Sequence, residues 1–241
     1  MKENNFLRRR ILEQGYKEKM GHFCSAFSCV DSINYLYDNL LKENDLFILS
    51  KGHGAMALYS VLEKFGKNPN WTEHPEIDEK NGIYATTGSL GHGLPIGIGR
   101  ALAKKLRGDT GRTYVLVGDG EIQEGSNWEG LMIAEKLGVN LTLMIDWNKY
   151  QAVGSIEEHL NIDAKNLEKR LKSFGCNKVL QIKGHNKKSL SKIKELGEVN
   201  GLNAVILDTI KGKGLSILEY DHPHAFFFQE EDYKKSLKEL E

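Results

Sequence analysis

The chain has 241 residues, and its 33 basic side chains balance 33 acidic ones, so the formal charge is zero. That balance gives no electrostatic case for nucleic acid, and no apolar stretch is long enough to span a bilayer. The amino terminus lacks the apolar core of a secretory signal, and Cys24, Cys29 and Cys176 form no CxxC pair, so they read as reduced thiols in a cytoplasmic protein.

In chain order, residues from about 4 to 20 read as a polar-rich helix ending at Gly21. Ser28 is placed to cap a second helix over VDSINYLYDNLL, whose apolar positions recur at helical spacing. Residues 46–49 form a short buried strand, 50–54 a strand-to-helix turn, and a helix runs on to Phe65. Residues 66–82 are irregular and polar, 86–93 form a Gly-rich loop, and a helix over 96–106 carries Pro95 in its first turn. A strand at 114–117, a helix and a strand at 141–145 follow. After Gly154 come a loop, a helix near 166–174, a strand near 178–182, a helix over 186–196, a strand at 203–208 and a last helix near 230–240. The runs YVLV, LTLMI and VILD are apolar without alternation, as strands covered on both faces are. The expected fold is α/β: a doubly wound, mainly parallel sheet with helices on both faces and right-handed crossovers. No linker or repeat interrupts it, so residues 1–241 read as one domain.

The most telling segment is Gly118-Asp119-Gly120, which ends one strand, with Asn148 just past the next. One carboxylate and one carboxamide thus stand at the ends of neighbouring strands. Mg²⁺ takes oxygen ligands and often shares itself between a carboxylate and substrate phosphates. Flanking glycines let the backbone approach an anion, and amides at the start of the following helix favour negative charge. Asp-Gly alone is a common turn signal; the paired strands and Asn148 make it a site. Ligands of such sheets sit at the carboxyl ends of the strands, where Asp119, Asn148 and Lys51-Gly52-His53 fall.

GDG with a later asparagine is the thiamine-diphosphate signature, and from about Gly21 onward the chain resembles the N-terminal, diphosphate-binding domain of transketolase. His22 lies in GHFCSAFSCVDSINYLY, similar to the family's GHxGxxLSxxDxLxxLY, and His53 in LSKGHGAMALY, similar to LSxGHxxxxLY. His74-Pro75-Glu76 resembles the family's GHPE, and His224 follows TIKGKGLSILEY where transketolases carry an HG step, with His222 as its rival. The resemblance implies that His22, His53, His74 and His224 approach the diphosphate or the hydroxyls of donor and acceptor. An imidazole there can move a proton or stabilise an alkoxide near neutral pH. It also implies thiamine diphosphate as cofactor, with Mg²⁺ (or Ca²⁺ or Mn²⁺) held by Asp119, Asn148 and the Tyr150 carbonyl. Gly118, Gly120 and Glu121 would line the diphosphate, with Lys213 of KGKG near it. The Gly88, Ser89 and Leu90 backbone would meet the aminopyrimidine and thiazolium rings.

The chain departs from the family in length and in two segments. Full transketolases carry a second domain that holds the aminopyrimidine and supplies its activating glutamate; no such unit is legible here. The resemblance therefore implies a separate C-terminal, pyrimidine-binding transketolase subunit, two copies of each chain forming a heterotetramer. The stretch between Phe65 and His74 is short, and the family's HGKAP reads HAFFF, which unsettles the usual sugar-phosphate substrates. Phe226-Phe227-Phe228 is expected either to contact the partner subunit or to pack under the last helix. The expected activity is transfer of a two-carbon ketol unit from a ketose to an aldehyde. The alternatives are a subunit of another thiamine-diphosphate enzyme, 2-oxoacid dehydrogenase-like or deoxyxylulose-phosphate-synthase-like, and a non-catalytic cofactor-binding subunit. The LSKGH and HPE segments speak against the first, and the retained histidines against the second.

Overall fold

In the computed structural model, residues 4–160, 162–221 and 224–241 are described. Its strands are β1 (Leu46–Leu49), β2 (Thr113–Gly118), β3 (Leu141–Trp147), β4 (Tyr150–Gln151), β5 (Gly154–Ser155), β6 (Lys178–Lys183) and β7 (Leu202–Asp208). β4 and β5 form a small antiparallel hairpin; the other five pair in parallel in the order β1-β2-β3-β7-β6. Successive strand side chains point to opposite faces, and here both faces are apolar. Phe47, Leu49, Leu116, Met144, Val205 and Leu207 enter one core, while Ile48, Val115, Val117, Leu143, Ile145 and Ile206 enter the other.

The first core is covered by α1 (Asn5–Lys17), α2 (Phe23–Asn39), α3 (Ala55–Lys64), α8 (Lys187–Leu190), α9 (Lys194–Gly197), α10 (Ser216–Asp221) and α11 (Glu230–Glu239). The second is covered by α4 (Gly93–Arg107), α5 (Gly125–Leu137), α6 (Ile156–Leu160) and α7 (Ala164–Ser173). In α4, Leu94, Ile98 and Ala101 make the buried stripe at i, i+4, i+7. The chain steps outward from β1 to β3 and back from β6 to β7, and the connecting helices change face between the two runs. A constant crossover hand requires that change. The sheet with helices on both faces is the architecture expected from the apolar runs.

Four local expectations are corrected. α2 begins at Phe23, so Ser28 lies inside it; its hydroxyl donates back to the Ser25 carbonyl at 2.9 Å instead of capping. Residues directly after Gly120 form a 3-10 turn, Glu121–Gln123, and α5 starts later, at Gly125. The helix expected over 186–196 is broken by a 3-10 turn at Ser191–Ile193. The short helices α6 and α10 had no clear periodic signal. All three cysteines are free, and burial pushes each thiol up to about 12. Among the described residues no helix is long and apolar enough to cross a membrane.

Candidate active site

The carboxyl ends of the parallel strands open onto a cavity of about 310 Å³. The segments leaving β1, β2, β3 and β7 supply His53, Asp119 and Gly120, Asn148 with Tyr150 to Ala152, and Lys211 respectively. The 66–92 connection adds His74, Gly88 and Leu90, and the entry to α2 adds His22 and Ser25. A β-carbon on Gly52 would stand 2.7 Å from the Gly88 amide nitrogen, so the two loops meet through bare backbone.

Asp119 is 3% exposed. Its Oδ1 accepts from the Gly120 amide at 2.9 Å and its Oδ2 from the Lys149 amide at 2.5 Å. Lys149 reaches that position with φ +75°, a left-handed conformation costly for a side chain with a β-carbon. Burial, then the Asp146 charge, pushes the Asp119 carboxyl up to about 7, only partly offset by Lys51 and the two amides. Among the described residues, the only donors to its carboxylate are these two backbone amides. Asn148 lies alongside: its Nδ2 donates to Asp146 at 3.4 Å, and its Oδ1 accepts from the Tyr150 amide at 3.0 Å.

Beneath these groups lies a fully buried ion pair. The Lys51 ammonium meets Asp146, which also accepts from the hydroxyls of Thr209 and of Ser28, the latter at 2.5 Å. Lys51 donates further to the Ser25 carbonyl at 3.3 Å. Burial alone would neutralise both groups, but their attraction and these hydrogen bonds keep both charged: Lys51 is raised and Asp146 lowered. The pair ties α2, β1, β3 and β7 together under Asn148. The sequence placed Lys51 at the strand ends, but neither its burial nor its pairing with Asp146 was legible there. Ser25 lines the cavity, and its hydroxyl is buried without a hydrogen-bond partner among the described residues. Lys211 is 4% exposed and lines it too, its Nζ 5.9 Å from the Tyr150 ring centroid. Burial lowers its pKa, partly opposed by Cys24 and Asp119.

Four imidazoles gather over this floor. The His22 ring centroid is 6.0 Å from that of His53, 5.5 Å from His74 and 5.1 Å from His224, and His53 is 5.9 Å from His224. Burial lowers the pKa of His22, His53 and His224; for His53 the drop is large, reinforced by Lys51 and the neighbouring rings. These three rings are poised neutral, able to accept a proton.

Of the residues singled out in the sequence, Gly118, Asp119, Gly120, Asn148, Tyr150, Gly88, Leu90 and all four histidines line the one cavity. Ser89 is exposed and outside the lining. Glu121 lines it, but its carboxylate is engaged by the Ser50 hydroxyl at 2.5 Å and the Gly91 and Gly118 amides at 3.1 Å, so it fastens loops together. Lys213 is a correction. It turns away to Glu219 at 3.3 Å beside a separate cleft, whereas Lys211 lines the cavity. Gly212, at φ +76°, reverses the chain between the two lysines. His222 lies outside the described residues. Of the three phenylalanines, Phe228 is buried and Phe226 packs on it at 4.8 Å, while Phe227 is 62% exposed. Two of the three therefore pack within this chain. His185 bridges Asp31 and the Ile210 amide, a structural role.

The fold and cavity define an α/β protein whose parallel strand ends open onto a cavity lined by four histidines, Asp119 and Asn148. Residues 5–225 match the family described as transketolase, thiamine diphosphate binding domain, and the chain belongs to that family. It is 35% identical to an apulose-4-phosphate transketolase subunit of Actinobacillus succinogenes, over 83% of this chain and 79% of that one. It is 32% identical to the 6-deoxy-6-sulfo-D-fructose transketolase subunit of a Clostridium species, over 98% and 94%. The crystal structure of transketolase from Campylobacter jejuni superposes with a TM-score of 0.83 at 25% identity, covering 99% of this chain. This chain spans only 42% of that one.

Proposed function

We propose that this chain is the diphosphate-binding subunit of a two-chain transketolase that moves a two-carbon ketol unit from a ketose to an aldehyde. The observation that carries the reading is the convergence of four imidazoles above Asp119 and Asn148. Holding a diphosphate needs the floor alone; four imidazoles above it suit a substrate rich in hydroxyls. The relatives named as transketolase subunits support a separate partner chain. We infer that a C-terminal, pyrimidine-binding subunit supplies the activating glutamate, in a cytoplasmic heterotetramer with two copies of each chain.

The residues present fit the cofactor. Asp119 is a buried carboxylate that, among the described residues, accepts only from two backbone amides, and Ser25, which lines the cavity, has a buried hydroxyl with no hydrogen-bond partner among them. The Asp119 carboxylate, the Asn148 Oδ1 and the Tyr150 carbonyl form an all-oxygen set suited to Mg²⁺. Lys211 would add positive charge and Ser25 a hydroxyl donor toward the diphosphate. Thiamine diphosphate, when bound, supplies the nucleophilic carbon and the electron sink that carbon–carbon cleavage needs. His22, His53, His74 and His224 orient the substrate hydroxyls, take the proton released as the carbon–carbon bond breaks, and return it to the new product.

The test is reconstitution. The chain is mixed with a candidate pyrimidine-binding subunit from the same organism, thiamine diphosphate and Mg²⁺, and offered hydroxyketone donors with an aldehyde acceptor. Transfer from a hydroxyketone, at least ~100-fold weaker in His53→Ala, supports the reading. Turnover of pyruvate in place of hydroxyketones would overturn the donor class. Activity unchanged in both His53→Ala and His22→Ala would overturn the role of the rings.

A further inference from the structure

One acidic side chain, Glu73, reaches into the histidine cluster. It precedes His74 in the 66–92 connection, where the GHPE segment it resembles has glycine. Its Oε1 lies 2.5 Å from Nδ1 of His22 and accepts from the Gly21 amide at 3.2 Å. One oxygen therefore holds both the backbone and the ring at the entry to α2. Its own segment is anchored: the Thr72 hydroxyl donates to the His74 carbonyl at 2.7 Å and sits 2.9 Å from the Tyr59 hydroxyl of α3. Next along the chain, the Trp71 indole donates to Glu63 at 2.9 Å.

We propose that Glu73 is a positioning residue that sets the tautomer and basicity of His22, and this rests on the transketolase reading for its consequence in catalysis. The physical reason is local. A bare nitrogen lone pair 2.5 Å from a carboxylate oxygen is repelled, so the neutral ring carries its proton on Nδ1. That leaves Nε2, as acceptor, to face the cavity. The contact lies off the line of a regular hydrogen bond, so charge contributes more than alignment.

The groups facing His22 are Glu73 and His74 from the 66–92 connection, His53 after β1, Lys211 after β7 and His224 after α10. Of these only Glu73 is acidic. Burial, His74 and Lys211 all disfavour the imidazolium, and Glu73 opposes them. The proton transfer balances within the site. A substrate O–H bond breaks as Nε2–H forms, Glu73 stabilises the resulting imidazolium, and the same proton returns to the product oxygen. The Glu73 side chain is 39% exposed, so solvent screens its pull on the ring.

The experiment follows the ring nitrogens by long-range ¹⁵N–¹H correlation across pH, in the intact chain and in Glu73→Gln and Glu73→Ala. The His22 signals are identified by their loss in His22→Gln. The expected wild-type ring is the Nδ1–H tautomer. Glu73→Gln, which keeps an acceptor but no charge, should retain that tautomer with protonation about tenfold weaker. Glu73→Ala should weaken protonation similarly and shift the ring toward Nε2–H. Unchanged tautomer and titration in both variants would reduce Glu73 to a pin for the Gly21 amide and overturn the proposal. With the partner subunit, Glu73→Gln should move the acidic limb of kcat/KM toward lower pH. Ring effects without ketol transfer from any donor would leave the positioning intact and sink the transketolase reading. Transfer with an unmoved pH profile would sink the catalytic role of Glu73 alone.

Discussion

Asp31 and Asp119 are both buried aspartates, but their surroundings differ in kind. Asp31 accepts from the Arg8 guanidinium at 2.9 and 2.6 Å, from the His185 ring at 2.6 Å and from Asn4 at 2.8 Å. Burial pushes its pKa up, yet His185 and Arg8 outweigh that and hold it at about 2. Among the described residues Asp119 accepts from two backbone amides only, and burial takes it to about 7. The roomier cleft of about 450 Å³ lies beside Asp31, but the polar groups of the Asp31 cluster there are paired with one another. A buried charge compensated by its own chain holds a fold together. One left uncompensated at the strand ends marks where a ligand belongs.

The contrast breaks hardest at Arg8. Arg8→Met strands Asp31 in the interior and should cost about 3–5 kcal/mol in urea unfolding. Asp119→Ala removes a charge the apo fold does not need and should leave unfolding unchanged or slightly stabilised. A similar loss in both variants would erase the distinction. The ligand side reverses the order. Asp119→Ala should weaken Mg²⁺-dependent binding of thiamine diphosphate at least ~100-fold, about 3 kcal/mol, read by calorimetry, with the melting temperature kept.

Acid sharpens the comparison further. The folded pKa of Asp31 is depressed, so its stabilisation is present above about pH 4 and is lost as pH falls toward about 2. The lost stability is about 2–3 kcal/mol. The difference in unfolding free energy between wild type and Asp31→Asn should shrink by most of that amount between about pH 5 and about pH 2.5; a constant difference would mean that Asp31 is not ionised by its partners. The smallest effect is expected at Ser25. If its idle hydroxyl meets the diphosphate, Ser25→Ala should weaken inorganic pyrophosphate binding about fivefold, about 1 kcal/mol, and unaltered affinity would remove it from the site.

The strands and the cavity at their carboxyl ends were legible because both rest on local rules. Apolar runs such as LTLMI mark doubly covered strands, and an Asp between glycines at a strand end marks a close backbone approach. The four histidines came from separate segments whose likeness to known motifs predicted their meeting. What stayed hidden depended on direction or burial. Lys211 and Lys213 are equivalent in sequence until Gly212 reverses the chain between them. Ser28 looked like a cap because the apolar stretch before it also suits a loop packed on the core. Lys51 sits in a turn and Asp146 within the apolar strand β3, and nothing local says that they pair beneath the site. Glu73 acts on a ring from another segment, a contact that sequence spacing does not encode.

The most direct measurement of the central claim is calorimetric titration of thiamine diphosphate into this chain with Mg²⁺, without it, and in Asp119→Ala. The expected result is binding that requires Mg²⁺, disappears in the variant and tightens when the pyrimidine-binding subunit is present. Binding that needs no metal, or that survives the loss of Asp119, would contradict the claim that these strand ends hold a metal-bound diphosphate.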